Sequence, residues 1–269
     1  AGAAYAALFA NVLITRWLTD GASEPWVLSH WALTLNAMPW LILALTQLYR
    51  LQLGGALRWL RWAIAAVAGL AALAGIGSAA TAANPLFGLA FGGREGLVYG
   101  PPVLDTLLVA YALPGVILVA ALRWLGHLPP LLRHAMLGFG TALLALYAGL
   151  EIRRFWQGDD LSGSYVSQGE LYSYTVALLV IGAGLLYQAI ARNSVVLRRA
   201  AMAVIGLTVA KVFLIDVAGL TGLTRVFSLL ALGLSLAGLA FLNRWAARRQ
   251  AGVDVPRNVL EHHDGVVHD

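Results

Sequence analysis

Apolar residues in this chain run in long unbroken stretches rather than in alternation with polar ones. Seven of them lie at about Trp26–Tyr49, Trp59–Ala80, Val103–Trp124, Leu131–Phe155, Leu171–Ala191, Ala200–Leu220 and Leu223–Asn243. Each reaches the ~20 residues that a helix needs to cross a bilayer. An eighth, Ala3–Leu18, is short and weak, and reads as interfacial or truncated. Transmembrane strands would show a two-residue period, which these runs lack. The pattern predicts an all-α, polytopic transmembrane helix bundle of about eight spans over residues 1–243. A polar tail over residues 244–269 follows, and its Glu261-His262-His263-Asp264 end reads as a frayed terminus. No basic stretch precedes the first apolar run, so a secretory signal is not expected, and the chain reads as part of a longer protein.

Small residues punctuate the predicted spans: Gly69, Gly75 and Gly77 in the third, Gly138 and Gly140 in the fifth, Gly182 and Gly184 in the sixth. Helices in lipid associate through close backbone approach, so these positions are expected to pack. Pro39 and Pro114 fall mid-span and are expected to kink their helices, with Asn36 available to a carbonyl that Pro39 frees.

Composition narrows the class. The chain has 269 residues, of which 60% are hydrophobic and only 12% charged. Its mean hydropathy is +0.76. An average soluble domain carries roughly a quarter charged residues, so a soluble globular fold and a disordered chain are both excluded. With no cysteine, there are no disulfides, thiolate metal sites or cysteine nucleophiles. Trp26, Trp31, Trp59, Trp62, Trp124, Trp156 and Trp245 flank the spans, as interfacial belts do.

Charge gives an expected orientation. Twelve basic residues fall on one side of the predicted spans: Arg50, Arg58, Arg61, Arg123, Arg133, Arg192, Arg198, Arg199, Arg244, Arg248, Arg249 and Arg257. Five fall on the other: Arg16, Arg94, Arg153, Arg154 and Arg225. Basic loops stay in the cytoplasm, which places the C-terminus inside. Four of the 13 acids are in the tail, and the other nine all map to the outer side or the outer half of a span. The net charge of +5 comes from the cytoplasmic loops and points to anionic lipid headgroups as partners, not to nucleic acid.

Ionisable residues within spans are expensive, and are functional or paired by default. Lys211 lies ~18 Å of helical rise into its span. Asp216 is ~140° round the same helix, so the expected partner of Lys211 is Glu151 or Asp105 from another helix. Asp216 can instead meet Arg225 across the Gly219–Gly222 turn. Tyr147, Glu151 and Arg154 share one helical stripe, with Arg153 pointing elsewhere. The candidate ligand-binding set is Asp105, Tyr147, Glu151, Arg154, Tyr172, Lys211, Asp216 and Arg225. Carboxylates accept hydroxyl hydrogen bonds, guanidinium grips phosphate and aromatic faces stack on rings, so the set suits a sugar or phosphate headgroup. The same groups can simply be interhelical salt bridges. No catalytic residue, metal site or cofactor is assigned. His30, His127 and His134 lack zinc-motif spacing, the Asp159–Ser164 turn lacks a full calcium loop, and no P-loop, dinucleotide fingerprint or nucleophile elbow is present.

Several of these segments also carry a resemblance. They include Asn84-Pro85-Leu86, Tyr111-Ala112-Leu113-Pro114, Glu151-Ile152-Arg153-Arg154, Glu170-Leu171-Tyr172-Ser173-Tyr174 and Leu197-Arg198-Arg199. Lys211-Val212-Phe213-Leu214-Ile215-Asp216, Gly222-Leu223-Thr224-Arg225-Val226-Phe227-Ser228 and Leu232-Gly233-Leu234 complete the series. From about Asn84 to Asn243 the chain resembles the C-terminal part of the bacterial domain-of-unknown-function 2339 family, large predicted multi-pass membrane proteins. The resemblance implies a membrane bundle and a C-terminal part or reduced form of such a protein, and carries no activity over.

The expected role is a component of cell-envelope biology that binds or handles a lipid-linked or glycan-type ligand in an outward-facing polar cavity. Two alternatives are a proton-coupled transporter switching on Lys211 and Glu151, and a scaffold subunit that contacts other membrane subunits and has no ligand of its own. The topology is testable, because the chain has no native cysteine. A cysteine introduced at Gln250 is expected to be protected from an impermeant thiol reagent in intact cells, and one at Ser162 to be labelled. The reverse pattern would sink the orientation.

Overall fold

The computed structural model describes residues 2–19, 28–55, 57–87, 97–163, 165–212, 215, 230, 233–242 and 244. Among them the regular structure is entirely helical. The chain divides into two compact units, Ala1–Glu170 and Leu171–Asp269.

In the first unit, α1 (Gly2–Thr19), α2 (His30–Arg50) and α3 (Arg58–Ala80) are followed by a π turn, Leu108–Ala112, that runs into α4 (Leu113–Ala121), and then by α5 (Pro130–Gln157). α2 is the central helix and packs against α1, α3 and the π turn. Ser29 starts α2 by accepting a hydrogen bond from the Ala32 N–H, which satisfies one of the orphan donors of the first turn. Asn36 does not serve a carbonyl freed by Pro39. Its backbone oxygen accepts from Asn11 Nδ2 (2.8 Å) and its side-chain oxygen from Thr15 Oγ1 (3.0 Å), so it ties α1 to α2. α6 (Gln168–Ala191) begins at the boundary between the units. α7 (Val195–Lys211), capped by Ser194, and a short helix Gly233–Leu242 belong to the second unit.

Packing runs opposite to that of a water-soluble bundle. The buried face of α3 is Ala65, Ala68, Ala72, Ile76 and Ala79, while Val67, Leu70 and Leu73 are exposed. Small residues inside and large apolar ones outside is the arrangement that a lipid solvent rewards. Among the described residues, four helices are long and apolar enough to cross a membrane: His30–Leu53, Arg58–Ala80, Pro130–Gln157 and Gln168–Ala191.

The expected fourth span begins later than its hydropathy suggests. Val103 and Leu104 are in a loop, and the apolar helix is only Leu108–Ala121. Pro114 explains its irregular start. A proline ring clashes with the carbonyl four residues back, and the π turn just before it widens the helix there, with the Leu113 N–H bonding to Leu108 O. About half of the last expected span, Leu223–Asn243, falls outside the described residues.

The glycines separate into two kinds. A Cβ on Gly75 would sit 2.7 Å from Ala37 Cβ and 3.2 Å from Leu33 O, so α2 and α3 touch there because Gly75 has no side chain. α4 and α5 cross at Gly115 and Gly140, where each Cβ would meet the other's carbonyl at 2.9 and 3.1 Å. Gly77, Gly138 and Gly184 face open space. Gly75→Val is therefore expected to cost ~1–3 kcal/mol by overpacking. Gly77→Val in the neighbouring turn should leave the thermal midpoint in detergent unchanged or higher. Equal loss from both would show that the α2–α3 contact is not a close one.

Candidate functional site

The described acidic residues of the first unit collect where α5 ends. Arg154 is the centre of this cluster. A guanidinium has five N–H donors, and here every one has an acceptor. Nη1 donates to Asp105 Oδ2 at 2.5 Å and to Pro101 O at 3.5 Å. Nη2 donates to Gly100 O at 2.6 Å and to Asp159 Oδ1 at 2.8 Å, and Nε reaches the same Asp159 oxygen at 3.3 Å. The Arg154 side chain is 8% exposed and that of Asp105 is fully buried. Asp105 does a second job: its Oδ1 accepts from the Leu108 N–H (3.0 Å) and caps the helix that leads into α4.

One turn back, Glu151 faces Asp105 and accepts from the Val103 backbone, while the Tyr147 hydroxyl lies beside Glu151 and donates to Val103 O (2.9 Å). The predicted stripe Tyr147–Glu151–Arg154 thus grips the backbone of one loop, residues 100–105. Val103 has φ of 73°, a left-handed conformation that a β-branched residue adopts only when its surroundings hold it there. Glu151 Oε1 is buried and has no hydrogen-bond partner among the described residues.

Arg153 points away from this stripe, as expected, into a second ion pair that the sequence did not suggest. Its Nη1 is 3.2 Å from Glu170 Oε1, its Nε donates to Leu161 O (2.8 Å), and Nη2 donates to Gly163 O. Glu170 is fully buried and also accepts from Gln157 Nε2 (3.1 Å). Asp160 closes the intervening turn by accepting from the Ser162 N–H and hydroxyl, which holds its carboxyl below the ordinary carboxylate range. His30, at the start of α2, stacks on Tyr111 with ring centroids 6.2 Å apart. Its Nε2 is 3.2 Å from Thr106 Oγ1, and Nδ1 has no partner among the described residues. Tyr111 donates to Ala79 O at 2.7 Å and so joins this region to the end of α3.

Of the expected set, then, Asp105, Tyr147, Glu151 and Arg154 come together. Tyr172 and Lys211 belong to the second unit. There Lys211 Nζ donates to Leu171 O (2.9 Å) and Thr175 Oγ1 (2.6 Å) of α6, whereas the Asp105 carboxylate is engaged by Arg154 and the Leu108 N–H. Asp216 and Arg225 lie outside the described residues. Among the described residues no group of three or more His, Asp or Glu is placed to hold a metal ion.

A bundle with small residues inside, large apolar residues outside and its buried arginine paired at a helix end is an integral membrane protein. The family described as "Predicted membrane protein (DUF2339)" matches residues 1–245, and the chain belongs to that family. No curated protein and no solved structure matches the chain.

Arg154→Met leaves the Asp105 carboxylate buried without its cation and is expected to cost ~3–5 kcal/mol of stability. Adding Asp105→Asn should recover part of that loss, because the amide keeps the helix cap and removes the stranded charge. Unfolding of the two variants in one detergent checks this, and additive losses would contradict it.

Proposed function

We propose that this chain is a multi-pass protein of the bacterial cytoplasmic membrane, its C-terminus in the cytoplasm, that binds or handles a lipid-linked or glycan-type ligand of the cell envelope. The ligand's hydroxyl-rich headgroup meets the end of α5. The observation that carries this reading is the unpartnered, buried Glu151 Oε1, set in a cluster where carboxylates outnumber guanidiniums. Asp105, Glu151, Asp159, Asp160 and Glu170 stand against Arg153 and Arg154. Both guanidiniums are already engaged by protein acceptors, so a phosphate finds no free donor fork on them. Carboxylates with spare lone pairs accept from hydroxyl groups, which is how proteins hold sugars. The strained Val103 loop is the segment such a headgroup would press on.

The complete use of Arg154 favours one competing reading, a scaffold whose polar cluster only fastens the bundle. Glu151→Gln separates the two. It preserves shape and removes an acceptor beside the Asp105–Arg154 pair without touching any of the Arg154 hydrogen bonds. A ligand site loses about tenfold or more in affinity, the worth of one charge-assisted hydrogen bond, with the unfolding midpoint little changed. Native mass spectrometry of the parent and the variant, each incubated with a lipid extract of the host, reads this directly. If neither species retains a glycolipid, the scaffold reading takes over.

A further inference from the structure

The opposite end of the first unit has a different chemistry. Residues 50–61 and 121–134 contain Arg50, Arg58, Arg61, Arg123 and Arg133 and no Asp or Glu. The two segments are held side by side, since Gln52 Nε2 donates to Trp124 O (2.9 Å) and His127 Nε2 bonds to Leu48 O (2.9 Å). From this end an apolar groove of about 560 Å³ runs along the side of the bundle between α3 and α5, floored by α2. Its wall on α3 extends from Trp62 to Ile76, about 21 Å of helix at ~1.5 Å per residue. That exceeds the ~15 Å of one leaflet's hydrocarbon. Leu132 and Phe139 form the facing wall.

We infer that this groove holds an acyl chain of an anionic phospholipid whose phosphate sits on Arg58 and Arg133. Arg58 is one turn before Trp62, so it continues the groove-lining stripe of α3 out to the membrane surface. Arg133 adjoins Leu132, and both arginines are exposed. Arg61 is turned away to Arg50 O and Gly54 O. α3 and α5 both begin at this end, and neither has a side-chain cap, so two helix N-termini add positive potential where the phosphate would lie. Five arginines with no acid in their own segments find their counter-charge in the headgroups of an anionic leaflet. The volume is in the range of small-molecule sites, and a lining this apolar suits a hydrocarbon tail rather than a polar ligand. This site is separate from the Glu151 cluster and does not depend on the reading given for it.

The experiment compares phosphatidylglycerol with phosphatidylcholine of identical acyl chains, each added to the delipidated full chain, with retained lipid read by native mass spectrometry. The parent is expected to keep phosphatidylglycerol in clear preference. Arg58→Gln with Arg133→Gln should lower that preference by about fivefold per arginine while some lipid is still retained. Ala66→Trp fills the groove from an exposed position and should abolish retention of both lipids. Ala66→Leu should halve it, and serves if the tryptophan variant does not fold. A phosphatidylglycerol with a photoreactive acyl chain should crosslink to residues 62–76 or 132–139. Equal retention of the two lipids by the parent, unchanged retention in the folded Ala66 variants, or crosslinks elsewhere would overturn the inference.

Discussion

A guanidinium buried in an apolar bundle must find an acceptor for each of its donors, and Arg154 finds all of them at one helix end. Most of the local structure follows from that demand. Two acceptors are backbone carbonyls of the loop before α4, so the loop is drawn onto α5. A third is Asp105, which can take the charge and still cap the next helix with its other oxygen. The loop must then turn within Gly100–Asp105, and Val103 is left at positive φ, with Tyr147 and Glu151 holding its backbone. Removing one member leaves another buried and unsatisfied, which costs more than the net worth of the pair.

This economy of donors also constrains recognition. An arginine whose fork is filled from within the protein contributes shape and potential to a ligand site rather than contacts. What remains available at the α5 end is acceptor capacity, at Glu151 Oε1 and on the exposed side chain of Asp159. At the other end the balance is reversed: arginines without acids border an apolar groove. The first unit therefore presents acceptors at one end and cations at the other, with leucine and valine surfaces between them.

Hydropathy identified the class of the protein and the long helices α2, α3, α5 and α6, because a span of ~20 apolar residues is a local, additive property that needs no knowledge of neighbours. It misplaced the start of the helix before α4. Val103 and Leu104 are apolar, but their backbone is commandeered by α5, and Pro114 breaks the ladder further on. Hydropathy cannot register either effect. Glycine content said that helices would pack closely without saying which glycines touch. Gly75 and Gly140 do, Gly77 and Gly138 do not, and helix rotation decides between them.

The stripe Tyr147–Glu151–Arg154 and its joining to Asp105 were readable from helical spacing and from the cost of unpaired charge. The role of Arg153 was not, nor was that of Glu170, because a contact across a turn depends on the path the chain takes between Gln157 and Gln168. The sequence by itself determined the solvent, the helices and the need to pair the buried charges, since these follow from composition and a 3.6-residue period. Tertiary structure alone decided which carboxylate each arginine meets and which oxygen is left over. Those choices rest on contacts that only folding brings about, such as the 2.5 Å approach of Arg154 to Asp105 from 49 residues away along the chain.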